Sequence, residues 1–397
     1  MGYRVLMPFL LSVPQKSFYQ DFVVGISEAL RELGHEPSHF PFDDVEGLSE
    51  NERTSLMRQL DRDKPGAVLD VACYGYATSQ ASLRTSGPPR MFDVYDIPYA
   101  GMLLDHPFNQ AVAGIAAPRR YGVYPDLGHP PQMRMLYPGL RFAGEIVAPP
   151  AVRPASGRSS TERPIDVLYV GNLESHVTKR FWRDPSVQHA TPTMDPGFCD
   201  ALTDIATAEP ERSLHLCLQT VQRQYSVPPG FDLLLNVRRT EAHLRYLFRL
   251  SAVLALAKSG LPLRVVGKGW GNVDLPTNVT VQAPTDYQGF LQLAGMSKIC
   301  VDASTYVDGV NDRVFSYAVN GAVCFTNAAG YLRPIVGDDV GIRFYSMLRL
   351  QGMVANVREL LDRPAELAEM GARARALVLS AHTWRHRLEH ILRAILP

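Results

Sequence analysis

Residues 307–327, VDGVNDRVFSYAVNGAVCFTN, decide the fold class. A glycine-containing turn leads into an amphipathic helix, the helix stops at Gly321, and a short apolar strand follows. That turn–helix–strand step belongs to an α/β sheet covered on both faces. The turn also carries Asp308, Asn311, Asp312 and Arg313, more polar chemistry than a change of direction requires.

Working outward, the same grammar recurs. IDVLYVGNL (165–173) is a strand ending in Gly171-Asn172, and RTEAHLRYLFRLSAVLALAK (239–258) is helical. LPLRVVGKGW (261–270) is a strand ending in Gly267-Lys268-Gly269. VTVQAP, the helix TDYQGFLQLAGM and the strand KICVDAS then lead into 307–327, and helices near 353–378 and 382–396 close the chain. In the first half, RVLMPFL (4–10) is a strand before a helix within 20–37. Phe22, Val23, Ile26, Ala29, Leu30 and Leu33 form that helix's apolar face, and Gly34 stops it. Buried strands are expected at 66–73, 99–105 and 142–148.

The chain has 397 residues, which suggests two domains of roughly 150–200 residues each. The break falls at APPAVRPASGRSSTERP (148–164), where no apolar period survives. The expected division is an N-terminal Rossmann-like domain over 1–150, a linker over 151–164, a second Rossmann-like domain over 165–381, and a closing helix over 382–397. The fold class is α/β, two such domains facing each other across a cleft.

Forty basic and forty acidic residues cancel, which argues against a partner bound through a strongly basic surface, nucleic acid above all. The five cysteines are widely spaced with no C-x-x-C pair, so a zinc site is not expected. Cys300 and Cys324 read as buried thiols, and the cysteine usage fits a reducing, cytoplasmic setting. The apolar N-terminal run meets Pro14 too soon for a signal peptide or membrane span.

Ligands of parallel α/β sheets collect where strands end and helices begin. Glycines there let backbone N–H groups approach an anion, and a helix N-terminus adds partial positive charge. Gly171-Asn172, Gly267-Lys268-Gly269 and Asp308-Gly309-Val310-Asn311-Asp312-Arg313 are three such ends, with Lys268 and Arg313 as cations for phosphate oxygens. Neither a P-loop nor a G-x-G-x-x-G fingerprint is present. The plainer alternative is that Asn311 or Asp312 only caps its helix and Arg313 only pairs with a carboxylate.

In the first half LLDHPFN (103–109) delivers Asp105 and His106 at a strand end, with Pro107 holding His106 extended. Either could serve as a general base on an acceptor hydroxyl. YPDLGHPPQ (124–132) offers a second pair, Asp126 and His129; for both pairs the alternative is a polar strand end with turn hydrogen bonds. No G-x-S-x-G elbow exists, and no carboxylate pair has a glycosidase spacing.

NDRVFSYAVNGAVCFTN, with LSAHTWRHRLEHIL (379–392) some sixty residues later, resembles nucleotide-sugar glycosyltransferases of the GT-B fold, in particular the bacterial group related to the spore-maturation protein CgeB. An Arg-x-Phe helix followed by Gly and a strand, and a His-Thr-x-x-x-Arg helix at His382, Thr383 and Arg387, carry the likeness. It covers about 165–395 well and the first half less fully. It implies glycosyl transfer, with Gly171, Asn172, Gly267, Lys268, Gly269, Asp308, Gly309, Asn311, Asp312, Arg313 and Ser316 on the donor and Asp105 or His106 as base. It further implies a nucleotide sugar as donor, no metal or other cofactor, and a glycan, lipid-linked or protein acceptor. The expected place of work is the cytoplasm, with room for peripheral association at the inner membrane.

Ser316 departs from the family pattern, since Glu commonly stands three residues after the Arg to bind the ribose. The retaining Glu pair is also absent, which tilts the expectation toward inversion. A sugar-nucleotide epimerase on the same fold and a degenerate glycan-binding module stay open as alternatives.

Overall fold

A computed structural model describes residues 2–10, 16–42, 50–71, 96–107, 119–136, 142–153, 163–174, 180–191, 193–226, 231–337 and 340–396. Cys73, the carboxylate-bearing 92–95, Phe108-Asn109 and 154–162 of the expected linker lie outside them. The chain forms two compact units. One comprises Met1–Arg153 with His382–Pro397, the other Pro154–Ala381.

The first unit opens with β1 (Arg4–Leu10), α1 (Lys16–Glu32), β2 (Glu36–Phe42) and α2 (Glu50–Asp63). It continues with β3 (Ala67–Val71), β4 (Tyr99–Met102), β5 (Arg120–Tyr124), α3 (His129–Leu136) and β6 (Gly144–Val147). The sheet order is β2-β1-β3-β4-β5-β6, and every pairing is parallel. Phe22, Ile26, Ala29 and Leu30 of α1 pack with Val5, Met7, Ala67 and Leu69 of the sheet, the apolar face expected from the sequence. Gly34, at φ +79°, ends the turn after α1 in a left-handed conformation that favours glycine.

The second unit contains β7 (Ile165–Val170), then three helices absent from the sequence reading: α4 (Pro185–Ala190), α5 (Pro196–Ala208) and α6 (Leu214–Gln224). Asp184 and Asp195 cap the first two, each ahead of a proline in the first turn. α7 (Leu233–Lys258) starts earlier than expected because Asp232 accepts a hydrogen bond from the Leu235 amide. Then follow β8 (Leu263–Val266), β9 (Val279–Gln282), α8 (Tyr287–Gly295), β10 (Ser297–Asp302), α9 (Asp312–Val319) and β11 (Val323–Thr326). β12 (Ile342–Phe344), α10 (Leu350–Leu361) and α11 (Pro364–Ala381) complete it. Its sheet order is β12-β11-β10-β7-β8-β9, again wholly parallel. Val167, Val265, Ile299, Val301 and Phe325 of the strands pack with Ala252, Val253 and Leu256 of α7 and Met353 and Val357 of α10. The α/β class expected from the sequence is the observed one.

The last helix, α12 (Trp384–Ile395), differs from expectation. The sequence reading set 382–397 apart as a closing helix after the second domain, and it belongs to the first unit. Trp384, Leu388 and Ile391 enter the first core, and the Trp384 ring meets Phe22 edge-on at 5.0 Å. Gly25 permits the approach, since a Cβ there would lie 2.6 Å from Trp384 Cδ1. The His-Thr-x-x-x-Arg motif anchors this return. Arg387 Nε donates to the Pro149 carbonyl at 2.8 Å, Arg387 Nη2 lies 2.6 Å from His382 Nδ1, and Val152 and Thr383 form a β-bridge. Ala151 and Val152, expected in the linker, are buried in this unit.

Candidate functional site

Three strands of the second sheet, β8, β7 and β10, lie side by side and parallel, so their carboxyl ends share one edge. The three glycine-bearing loops singled out in the sequence leave from those ends. The first two are stitched together. Gly171 N donates to Val266 O at 2.9 Å, Leu173 N to Lys268 O at 2.8 Å, and Lys268 N to Asn172 Oδ1 at 2.9 Å. Trp270, buried beneath, donates from Nε1 to the Gly171 carbonyl at 2.7 Å.

This stitching accounts for two of the glycines. A Cβ on Gly267 would sit 2.3 Å from Gly171 O, and one on Gly269 would sit 1.8 Å from Leu173 O. Gly269 also has φ +86°. Their absent side chains are therefore required by close backbone packing, whatever else the loop binds. Lys268 stands exposed at the tip, and among the described residues no carboxylate pairs with it.

The third loop is held from beneath by Asp302, the last residue of β10. Arg313 Nη2 and Nε donate to Asp302 Oδ1 at 2.9 and 3.0 Å, and the Asp302 side chain is wholly buried. Burial opposes the charge on Arg313, yet Asp302 and neighbouring groups hold its pKa above the ordinary value. Asn311 caps α9 by accepting from Arg313 N at 3.1 Å. Burial pushes the half-buried Asp312 carboxyl up to about 6, Arg313 opposing and Asp302 adding to the rise. Gly309 is buried, and Asp308 packs so near Gly330 that a Cβ there would lie 2.5 Å from its Oδ1. Ser316 is fully buried, its Oγ 3.2 Å from the Tyr287 hydroxyl, so it faces inward where the resemblance expects a ribose contact.

Sequence reasoning missed a stripe on α7. Glu241, Arg245 and Arg249 recur every four residues and so share one helix face. Buried Glu241 accepts from Arg245 Nε at 3.0 Å and Nη2 at 2.6 Å, and from Thr305 Oγ1 at 2.7 Å. One turn on, Arg249 Nη1 donates to the Asn172 carbonyl at 2.7 Å. The signal was present: an acid and two arginines, Glu241, Arg245 and Arg249, at successive four-residue spacings in one helix.

In the first unit, the loops after β4 and β5 bring together two pairs that the sequence kept apart. His106 and His129 are both buried, with His106 Nδ1 3.1 Å from His129 Nε2 and ring centroids 4.8 Å apart. One proton serves that contact, so one ring donates and the other accepts. Asp105 accepts from the His106 amide at 2.8 Å and stays half-buried. Asp126 accepts from the Gly128 amide at 2.6 Å, shaping the turn into α3.

Residues 245–393 match a family model described as glycosyl transferase-like. No curated protein matches the chain by sequence. Among solved structures, a glycosyltransferase from Rickettsia africae is similar at TM-score 0.56 and 10% identity, covering 99% of this chain and 98% of that one. Anabaena HepE, solved with UDP and glucose, gives TM-score 0.54 at 10% identity and 99% coverage of both chains. Sucrose-phosphate synthase from Thermosynechococcus elongatus gives 0.53 at 10%, with 98% of each chain covered. These likenesses define the fold as GT-B. The family match adds that residues 245–393 are similar to a glycosyl transferase-like domain. Among the described residues no helix is long and apolar enough to cross a membrane.

Proposed function

We propose that the protein transfers a sugar from a nucleotide-sugar donor to a hydroxyl group of a glycan, lipid-linked or protein acceptor. The observation that carries this reading is the shared edge of β8, β7 and β10, where three polar loops and the exposed Lys268 converge. Such an edge suits a diphosphate because backbone N–H groups, a helix N-terminus and a cation can face one anion. HepE, similar in fold, was solved with UDP-glucose, which favours a nucleotide sugar here as well.

In the proposed reaction the acceptor oxygen bonds to the anomeric carbon while the bond from that carbon to the diphosphate breaks. The nucleoside diphosphate leaves with the electron pair, and Lys268 offsets the developing charge, a task that needs no metal, while Arg313, paired with Asp302, holds the third loop. Asp105, or His106 beside it, takes the acceptor proton. We assign inversion, because a first-unit base is available and the retaining pair of glutamates is absent. A coupled assay of nucleoside diphosphate release from a panel of nucleotide sugars tests the reading. Release with one donor, lost in Asp105→Asn or in His106→Ala, supports it. Full turnover in both variants removes the assigned base, and epimerised donor without transfer replaces the reading.

A further inference from the structure

Arg249 stands apart from the two arginines near it. Arg245 has Glu241 and Arg313 has Asp302, each in a close ion pair. Arg249 pairs with no carboxylate among the described residues. Its one recorded hydrogen bond runs from Nη1 to the Asn172 carbonyl, at the carboxyl end of the central strand β7. Its Nε is buried with no acceptor. The residue as a whole is half-buried, so part of the side chain remains open to solvent.

That arrangement is unfavourable on its own. A cationic N–H left without an acceptor loses its hydration and gains nothing in return. Burial lowers the pKa of Arg249, with Arg313 and Arg245 adding to the fall and Tyr169 and Asp302 opposing it. An anion placed against this guanidinium would accept its unpaired N–H groups and relieve the repulsion. Asn172 joins the cations: its main-chain oxygen accepts from Arg249, and its side chain accepts from the amide of Lys268. Arg249 and Lys268 therefore flank one residue of one loop, from a helix and from a strand end.

We propose that Arg249 is a diphosphate-binding residue, supplied from the middle of α7 to the Gly171-Asn172 loop and acting beside Lys268. The inference rests on the donor-site reading above and deepens it by naming the cation free to bind. Arg313, engaged by Asp302, then serves mainly to position the third loop.

Calorimetry with inorganic pyrophosphate tests this without knowledge of the base or sugar. Wild type is expected to bind, with affinity that falls as salt is added. Arg249→Gln is expected to weaken binding by about 30-fold, the scale of charge-assisted hydrogen bonds, and to flatten the salt dependence. Arg249→Lys, which keeps the charge and loses the fork, is expected to fall between them. The ligand-free melting temperature of Arg249→Gln is expected to equal or exceed that of wild type, because a desolvated, repelled charge is removed. Pyrophosphate affinity unchanged in Arg249→Gln, with a lowered melting temperature, would make Arg249 a tie between α7 and β7 and overturn the inference alone. Failure of wild type to bind pyrophosphate, UDP, GDP, ADP and dTDP alike would overturn the donor-site reading, and the inference with it.

Discussion

Arg313 donates from both Nη2 and Nε to a single oxygen of Asp302, at 2.9 and 3.0 Å, beneath the loop that enters α9. The Asp302 side chain is wholly buried and that of Arg313 only 16% exposed, so removing one partner strands the other charge in the interior. Arg313→Ala is therefore expected to cost about 3–5 kcal/mol of stability in urea denaturation, besides any effect on the donor. A loss within about 0.5 kcal/mol, the range of ordinary surface substitutions, would show that the pair does not hold the loop.

The glycines of the β8 loop give a paired test. Gly269→Ala sets a Cβ 1.8 Å from Leu173 O at a φ of +86°, whereas a Cβ on Gly271 meets nothing within 4 Å. The expected outcome is a loss of about 2 kcal/mol or more for Gly269→Ala and near-neutrality for Gly271→Ala. Denaturation midpoints of the two variants check it, and equal effects would contradict the described stitching.

Two groups give opposite pH dependences. Asp312 has its folded pKa raised from 3.8 to about 6, chiefly by burial. Between those values the folded state binds more protons, so this group's contribution falls as pH rises through the window. Asp312→Asn should therefore gain on wild type from about pH 4 to pH 7. His382 has its folded pKa lowered from 6.5 to about 3, by burial first and then by Arg387 and His386. There the unfolded state binds more protons, and stability falls as pH drops below 6.5. Wild type should lose stability against His382→Asn over that descent. Thermal melts of the three proteins at pH 4, 5, 6 and 7 read both slopes.

The last helix should report on the first unit. Trp384 is 2% exposed against Phe22, so Trp384→Ala is expected to cost about 3–5 kcal/mol. Hydrogen exchange should then rise in α1, β1 and β3 and stay unchanged in β7, β8 and β10. Faster exchange in the second sheet instead would return the helix to the domain where its sequence position suggested it belonged.

What the sequence made legible was local. Apolar strands of four to seven residues and the glycine stop after α9 are each written within one stretch, and they led to the observed class. β2 escaped because EPSHFPF carries two prolines, which an edge strand tolerates, and β2 is at the edge of its sheet. β5, RYGVY, is short and carries a glycine. The distant relationships were not legible. Arg249 lies 77 residues from Asn172, His106 lies 23 from His129, and Arg387 lies 238 from Pro149. No period or cap encodes such contacts, because the sheet order and the helix return create them. For Arg313 the sequence left open a phosphate or a carboxylate partner, and the structure shows the carboxylate, Asp302; Ser316, expected at a ribose, lies beside the Tyr287 hydroxyl instead.

The central claim is that the shared edge of β8, β7 and β10 binds the diphosphate of a nucleotide. Its most direct test is titration calorimetry of wild type and Lys268→Ala with UDP, GDP, ADP and dTDP. Lys268 is exposed, so its removal should leave the melting temperature unchanged. The account predicts that wild type binds one nucleotide selectively and that Lys268→Ala weakens that binding by about tenfold or more. Equal affinity in the two proteins, or no binding of any nucleotide to wild type, would contradict it.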